Sequence, residues 1–212
     1  MNRILRALFF LLVVRPIVLI VLGLNVRRPE LLPKSGPAII VANHNSHLDA
    51  LVLMTLYGTR RLQTVRPVAA ADYFLKNKFL AWFSTQILGI IPINRVVTKE
   101  SKNPLAPIDD ALAEGNILIL FPEGSRGDPE KLDQFKTGIA RIAQHHEEVE
   151  ITPVFMHGLG KALPRGEALL VPFFCDIFIG PPFRWNGSRA GFMETLTSEM
   201  QKLIDEKPKS DW

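Results

Sequence analysis

Two apolar runs constrain this chain more than any other feature: residues 37–42 (PAIIVA) and 116–121 (NILILF, apolar after Asn116). Neither alternates polar with apolar residues, so each reads as a buried strand. Strands of that kind sit in sheets covered by helices on both faces. The rest of the sequence supplies the cover. Residues 47–57, 73–89, 108–113, 133–146 and 188–206 carry helical patterning, with Pro107 suited to a first turn and Gly115 to a helix end. Residues 65–71, 90–93 and 151–156 read as further strands, and 167–179 as one or two more. The expectation is an α/β fold, a mostly parallel or mixed sheet flanked by helices over residues 33–212. Residues 1–32 precede it as an apolar, membrane-associating helical segment. The single cysteine, Cys175, excludes an internal disulfide, so packing must hold the fold.

Charge is unevenly placed. The chain has 25 Lys+Arg against 21 Asp+Glu, a net +4. Residues 1–34 hold Arg3, Arg6, Arg15, Arg27, Arg28 and Lys34 against Glu30 alone, and the remainder is close to neutral. There is no broad basic face of the kind that binds nucleic acid, so no nucleic-acid partner is expected. Cations beside apolar residues point instead to an anionic membrane surface. Within residues 4–28 (ILRALFFLLVVRPIVLIVLGLNVRR), Arg15-Pro16 divides the apolar stretch. Neither half reaches the roughly 20 residues that cross a hydrocarbon core, and a mid-bilayer arginine costs about 2.5–3.5 kcal/mol. Proline also removes a helical N–H. The expectation is a bent pair of short helices entering one leaflet, with arginines at the headgroups. The alternatives are a tilted span, a signal peptide lacking a clear cleavage site, and a cover for the domain core.

Four clusters carry chemistry. The first, Asn43-His44-Asn45-Ser46-His47-Leu48-Asp49, directly follows the first strand. On a regular helix a five-residue spacing turns about 140°, so His44 and Asp49 meet only if His44 lies in the strand-to-helix turn. There a carboxylate would fix the imidazole tautomer, leaving the other ring nitrogen to take a proton from a substrate hydroxyl. His47 is the alternative base, and a helix-capping role for His44 the alternative without catalysis. The second cluster is a strand ending in Ile93, Asn94 and Arg95, able to bind a polar headgroup or to form a solvated turn. The third, Phe121-Pro122-Glu123-Gly124-Ser125-Arg126-Gly127, follows the NILIL strand. Its glycines allow close backbone approach, and Arg126 can fork onto a phosphate. Glu123 needs an arginine or a ligand as partner if buried. Lys136 offers a second cation nearby in sequence. The fourth cluster is a strand containing Pro153.

In this order the four clusters resemble the glycerolipid acyltransferase family, and among its members the bacterial 1-acylglycerol-3-phosphate acyltransferases. The family's Asn-His-x-x-x-x-Asp motif fits Asn43, His44 and Asp49. Its apolar stretch ending in Asn/Asp-Arg fits Ile93, Asn94 and Arg95. Phe-Pro-Glu-Gly-Thr/Ser-Arg fits Phe121 through Arg126, and the apolar-Pro-apolar strand fits Pro153 and Val154. The resemblance covers residues 36–158. Ser125 replaces the more frequent threonine, and Gly127 stands where a polar residue is common.

The resemblance implies acyl transfer from an acyl-CoA or acyl carrier protein thioester to 1-acyl-sn-glycerol 3-phosphate, giving phosphatidic acid. No bound cofactor and no metal is implied. His44 would be the general base and Asp49 its orienting group. Asn94, Arg95, Glu123, Gly124, Ser125, Arg126, Lys136 and Pro153 would bind substrate. An apolar tunnel would take the donor chain. The expected setting is the cytoplasmic face of the inner membrane, with the bilayer, the lysophospholipid and the acyl donor as partners. Alternative acceptors are another lysophospholipid, glycerol 3-phosphate and a lyso-aminolipid. A lipid hydrolase lacks its nucleophile elbow, because Glu123 stands where Gly-x-Ser-x-Gly needs its first glycine. A non-catalytic membrane-binding protein would not need His44.

Overall fold

The computed structural model describes residues 2–74, 77–94, 103–124, 134–162 and 173–208. Among the described residues seven strands form one sheet: β1 (Gly23–Arg27), β2 (Ala38–Ala42), β3 (Val65–Ala70), β4 (Ile91–Ile93), β5 (Ile117–Leu120), β6 (Glu150–His157) and β7 (Phe174–Ile179). Their order across the sheet is β1-β7-β6-β2-β5-β3-β4. From β6 to β4 all neighbours are parallel, β7 runs antiparallel to β6, and β1 is parallel to β7. The sheet is therefore mixed, with β2 at its centre.

The helices are α1 (Arg3–Phe9), α2 (Asp49–Thr55), α3 (Ala71–Phe74), α4 (Lys78–Trp82), α5 (Ala106–Ala113), α6 (Gly138–His145), α7 (Leu159–Ala162) and α8 (Arg189–Asp205). Every residue of β2 and β5 is buried, as unbroken apolar runs require. Side chains alternate between the two faces. Ala38, Ile40, Ala42, Ile117 and Ile119 join a core with Phe10, Val14, Val18 and Leu22 of the N-terminal segment and Val52 and Leu53 of α2. Ile39, Val41, Leu118 and Leu120 join a second core under α5, α6 and α8, with Ile108, Ile139, Phe192 and Leu196.

The N-terminal segment differs from the expected bent pair. Helix α1 continues through wide, π-type turns at Phe10–Val14 and Ile17–Val21, giving one helical stretch over Arg3–Val21. Arg15 and Pro16 both keep helical backbone angles, so Pro16 does not end the helix. Wide turns are a common way for a helix to absorb a local break in its hydrogen-bond ladder. By length and composition the stretch is long and apolar enough to cross a membrane. Yet Arg6, Phe10, Val14, Val18 and Leu22, spaced four apart, are all buried against the domain. Arg6 is not at a headgroup: its Nη2 donates to the Val65 carbonyl at 2.7 Å, at the start of β3. Burial, reinforced by nearby Arg66, lowers the Arg6 pKa to about 10. The other side of the stretch exposes Ile4, Leu8, Leu11, Leu12, Leu19 and Ile20. Residues 23–27, placed by sequence inside the N-terminal segment, form edge strand β1, with Val26 paired to Ile177 of β7.

Elsewhere the elements begin and end within a few residues of expectation, with two exceptions. α6 starts at Gly138 rather than near residue 133, and residues 125–133 lie outside the described residues. The helical patterning over 73–89 is met by the end of α3 and by α4, which runs on through a π-type turn to Leu88. Within the 167–179 stretch the described strand is β7.

Candidate functional site

The five parallel strands β2 to β6 put their carboxyl ends on one edge of the sheet, where open α/β sheets bind ligands. His44 lies two residues past the end of β2. Glu123 and Gly124 lie just past β5, next to β2 in the sheet, and Asn94 directly follows β4. Three of the sequence clusters thus share one edge.

The turn after β2 is fixed by its own polar residues. Asn43 is fully buried; its Nδ2 donates to the Met156 carbonyl at 2.9 Å, and the Met156 N–H donates to its Oδ1 at 2.7 Å. This amide continues the β2–β6 pairing beyond the end of β2, as a buried polar side chain must if it is to stay satisfied. Asp49 opens α2, where the helix dipole favours a carboxylate. Its Oδ2 accepts the Asn45 N–H at 2.7 Å and the Ser46 N–H at 2.9 Å. The same oxygen lies 2.9 Å from His44 Nδ1. A carboxylate only accepts, so the proton of a neutral His44 ring sits on Nδ1 and the lone pair on Nε2. The Asp49 side chain is buried at 1% exposure whereas that of His44 is 25% exposed, so the imidazole reaches the surface and its orienting group does not.

The β5 turn completes the frame. Phe121 stacks on the His44 ring with centroids 4.3 Å apart and planes 22° from parallel. Glu123 is buried, and its Oε1 accepts the His44 N–H at 3.2 Å. Sequence reasoning expected an arginine or a ligand there; the partner described is a backbone amide, which no sequence motif announces. Gly124 has φ +73°, and a Cβ at that position would collide with the Lys136 ammonium. The Lys136 N–H donates to the Pro122 carbonyl at 2.9 Å, which holds this exposed cation beside the Glu123–Gly124 turn. Asn94 is exposed at the end of β4. Pro153 lies lower, inside β6 and level with Val41, its carbonyl accepting the Gly180 N–H at 2.9 Å. Arg95, Ser125 and Arg126 lie outside the described residues. Sequence alone marks Asn43 and Phe121 as motif members and gives them no role in the site. A fully buried polar residue at the end of an apolar strand is the signal that marks Asn43.

The arrangement is a solvent-reaching imidazole oriented by a buried carboxylate, with the Lys136 ammonium beside Gly124 in the adjoining turn. It can remove a proton from a hydroxyl whose anionic substituent lies towards the cation.

The family model described as Acyltransferase matches residues 23–157. A chloroplastic 1-acyl-sn-glycerol-3-phosphate acyltransferase of Arabidopsis thaliana is 28% identical over 185 residues, 86% of this chain and 48% of that protein. A 1-acyl-sn-glycerol-3-phosphate acyltransferase of Chlamydomonas reinhardtii is 34% identical over 143 residues, 66% of this chain and 40% of that protein. The chain thus spans about half the length, or less, of these curated relatives. The crystal structure of the 1-acyl-sn-glycerophosphate acyltransferase PlsC from Thermotoga maritima has the same fold. Its TM-score is 0.69 at 21% identity, covering 89% of this chain and 73% of that one. With the family match extending from β1 to the last residue of β6, this chain belongs to the acyltransferase family.

Proposed function

We propose that this protein transfers a fatty acyl group from a thioester, acyl-CoA or acyl carrier protein, to the free hydroxyl of 1-acyl-sn-glycerol 3-phosphate, forming phosphatidic acid. The observation that carries this reading is the 2.9 Å contact between His44 Nδ1 and a buried Asp49 carboxylate already held by two backbone amides. His44 Nε2 takes the acceptor hydroxyl proton as the oxygen attacks the thioester carbonyl. The tetrahedral intermediate expels the thiolate, which recovers that proton from the imidazolium. Asp49 holds the ring and stabilises its charged form. Lys136, Asn94, Glu123 and Gly124 frame the acceptor headgroup, together with Arg95, Ser125 and Arg126.

The reaction takes place at a membrane surface, at the cytoplasmic face of the inner membrane. The exposed apolar side of Arg3–Val21, with Phe79 and Trp82 of α4, favours contact with a bilayer. Phe9 and Phe83 pack edge to face at 5.3 Å, so the two elements adjoin. Because the opposite side of Arg3–Val21 is packed on the domain from Arg6 to Leu22, the helix lies along the protein and enters one leaflet rather than crossing both.

The test is transfer from labelled palmitoyl- and oleoyl-CoA, and from the matching acyl carrier proteins, in mixed micelles. The acceptors are lysophosphatidate, lysophosphatidylcholine, lysophosphatidylethanolamine and glycerol 3-phosphate. The proposal expects labelled phosphatidic acid from lysophosphatidate and at least about tenfold less product from the choline and ethanolamine phosphodiesters, which present less negative charge to the cations. Equal or better use of those phosphodiesters would overturn the acceptor assignment.

A further inference from the structure

At the opposite end of α2 from Asp49 lies a cavity of about 590 Å³. Among the described residues its lining includes Arg15, Lys34, Arg60 and Arg61 and no carboxylate. Among the described residues no ion pair engages any of these four cations. Like charges gathered without counter-charges repel, so the arrangement favours an anion. Tyr57 also lines the cavity, immediately beyond α2. It is 5% exposed, and its hydroxyl has no hydrogen-bond partner among the described residues. Burial pushes its pKa up, against an opposing pull from Arg61, so the group stays a neutral O–H donor. A buried donor without an acceptor is costly, and a ligand oxygen would satisfy it.

We propose that this cavity binds the phosphate group of a ligand, at a site separate from the acceptor site. Arginine forks and a phenolic donor suit a tetrahedral oxyanion. α2 is seven residues long, about 10 Å of helix, and stands between Asp49 and this cavity. The cavity is large enough for a glycerophosphate-sized group. Arg15 comes from the same helix that exposes Leu11, Leu12, Leu19 and Ile20, so the site lies where phospholipid headgroups would meet the protein. An anionic lipid headgroup and free phosphate share the required chemistry.

The test follows thermal unfolding of the full chain in neutral detergent at constant ionic strength, titrated separately with inorganic phosphate and with dioctanoyl phosphatidylglycerol. The proposal expects a saturable rise in Tm with at least one of the two. R60A/R61A weakens the apparent affinity at least about tenfold, and Y57F, which removes only the hydroxyl, about fivefold. H44A leaves the affinity at the wild-type value, because the two sites are distinct. A rise with the lipid alone assigns the site to a headgroup, and a rise with both assigns it to phosphate itself. No saturable rise with either probe, or an R60A/R61A titration that superimposes on wild type, overturns the proposal.

Discussion

The turn at residues 43–49 and the helical stretch over Arg3–Val21 solve opposite problems. In the turn, Asn43 and Asp49 are buried and their bonds fix the chain: Asn43 to Met156, and Asp49 through Oδ2 to two amides and an imidazole. In the helix, apolar side chains dominate and most are exposed, while the buried line is headed by a charged residue, Arg6. Hydrogen bonding is directional, so the turn's sequence largely dictates its shape. The hydrophobic effect is not, so an apolar run states that it must be covered without stating by what.

The comparison can be broken in four places. The largest effect is expected at Asp49→Asn, which weakens the imidazole's orienting partner while keeping its volume; kcat falls at least about a hundredfold, with acceptor KM within about twofold. A KM effect alone would move Asp49 from positioning the base to binding substrate. Next comes Asn43→Ala, which removes both bonds to Met156 and costs about 2–3 kcal/mol in urea unfolding. A loss under 0.5 kcal/mol, the range of ordinary surface changes, would show that β6 holds the turn without it. Arg6→Ala then removes the tie to the Val65 carbonyl and costs about 1.5–3 kcal/mol, read by the same unfolding curve. An unchanged or raised midpoint would mean that burying the guanidinium costs as much as its bond returns. The smallest stability change, within about 0.5 kcal/mol, belongs to L12Q/I20Q on the exposed face. This pair should instead release the protein from vesicles, and undiminished sedimentation with them would contradict membrane contact on that side.

The same contrast explains what was legible in the sequence. β2 and β5 were readable because an unbroken apolar run of that length has few other solutions. The His44–Asp49 meeting was readable because a five-residue spacing allows it only across a strand-to-helix turn. β1 was missed: GLNVR is short, half-exposed and continuous with the apolar stretch before it, and its partner β7 lies some 150 residues away. The place of Arg6 is not legible because its partner is a backbone carbonyl, and every residue supplies the same atom. Glu123 reads as a residue needing a partner, and one bond it makes among the described residues, accepting the His44 backbone amide, is again invisible in side-chain identities. Sequence therefore reports side-chain chemistry at fixed local spacing well, and side-chain bonds to distant backbone poorly.

The central claim is that the proton of the acceptor hydroxyl passes to His44. The most direct measurement compares wild type, His44→Ala and His47→Ala in single-turnover transfer of a labelled acyl group from acyl-CoA to lysophosphatidate. The account predicts that His44→Ala slows transfer at least about a hundredfold while His47→Ala stays within about threefold of wild type. Equal rates for wild type and His44→Ala, or the large loss appearing at His47, would contradict it.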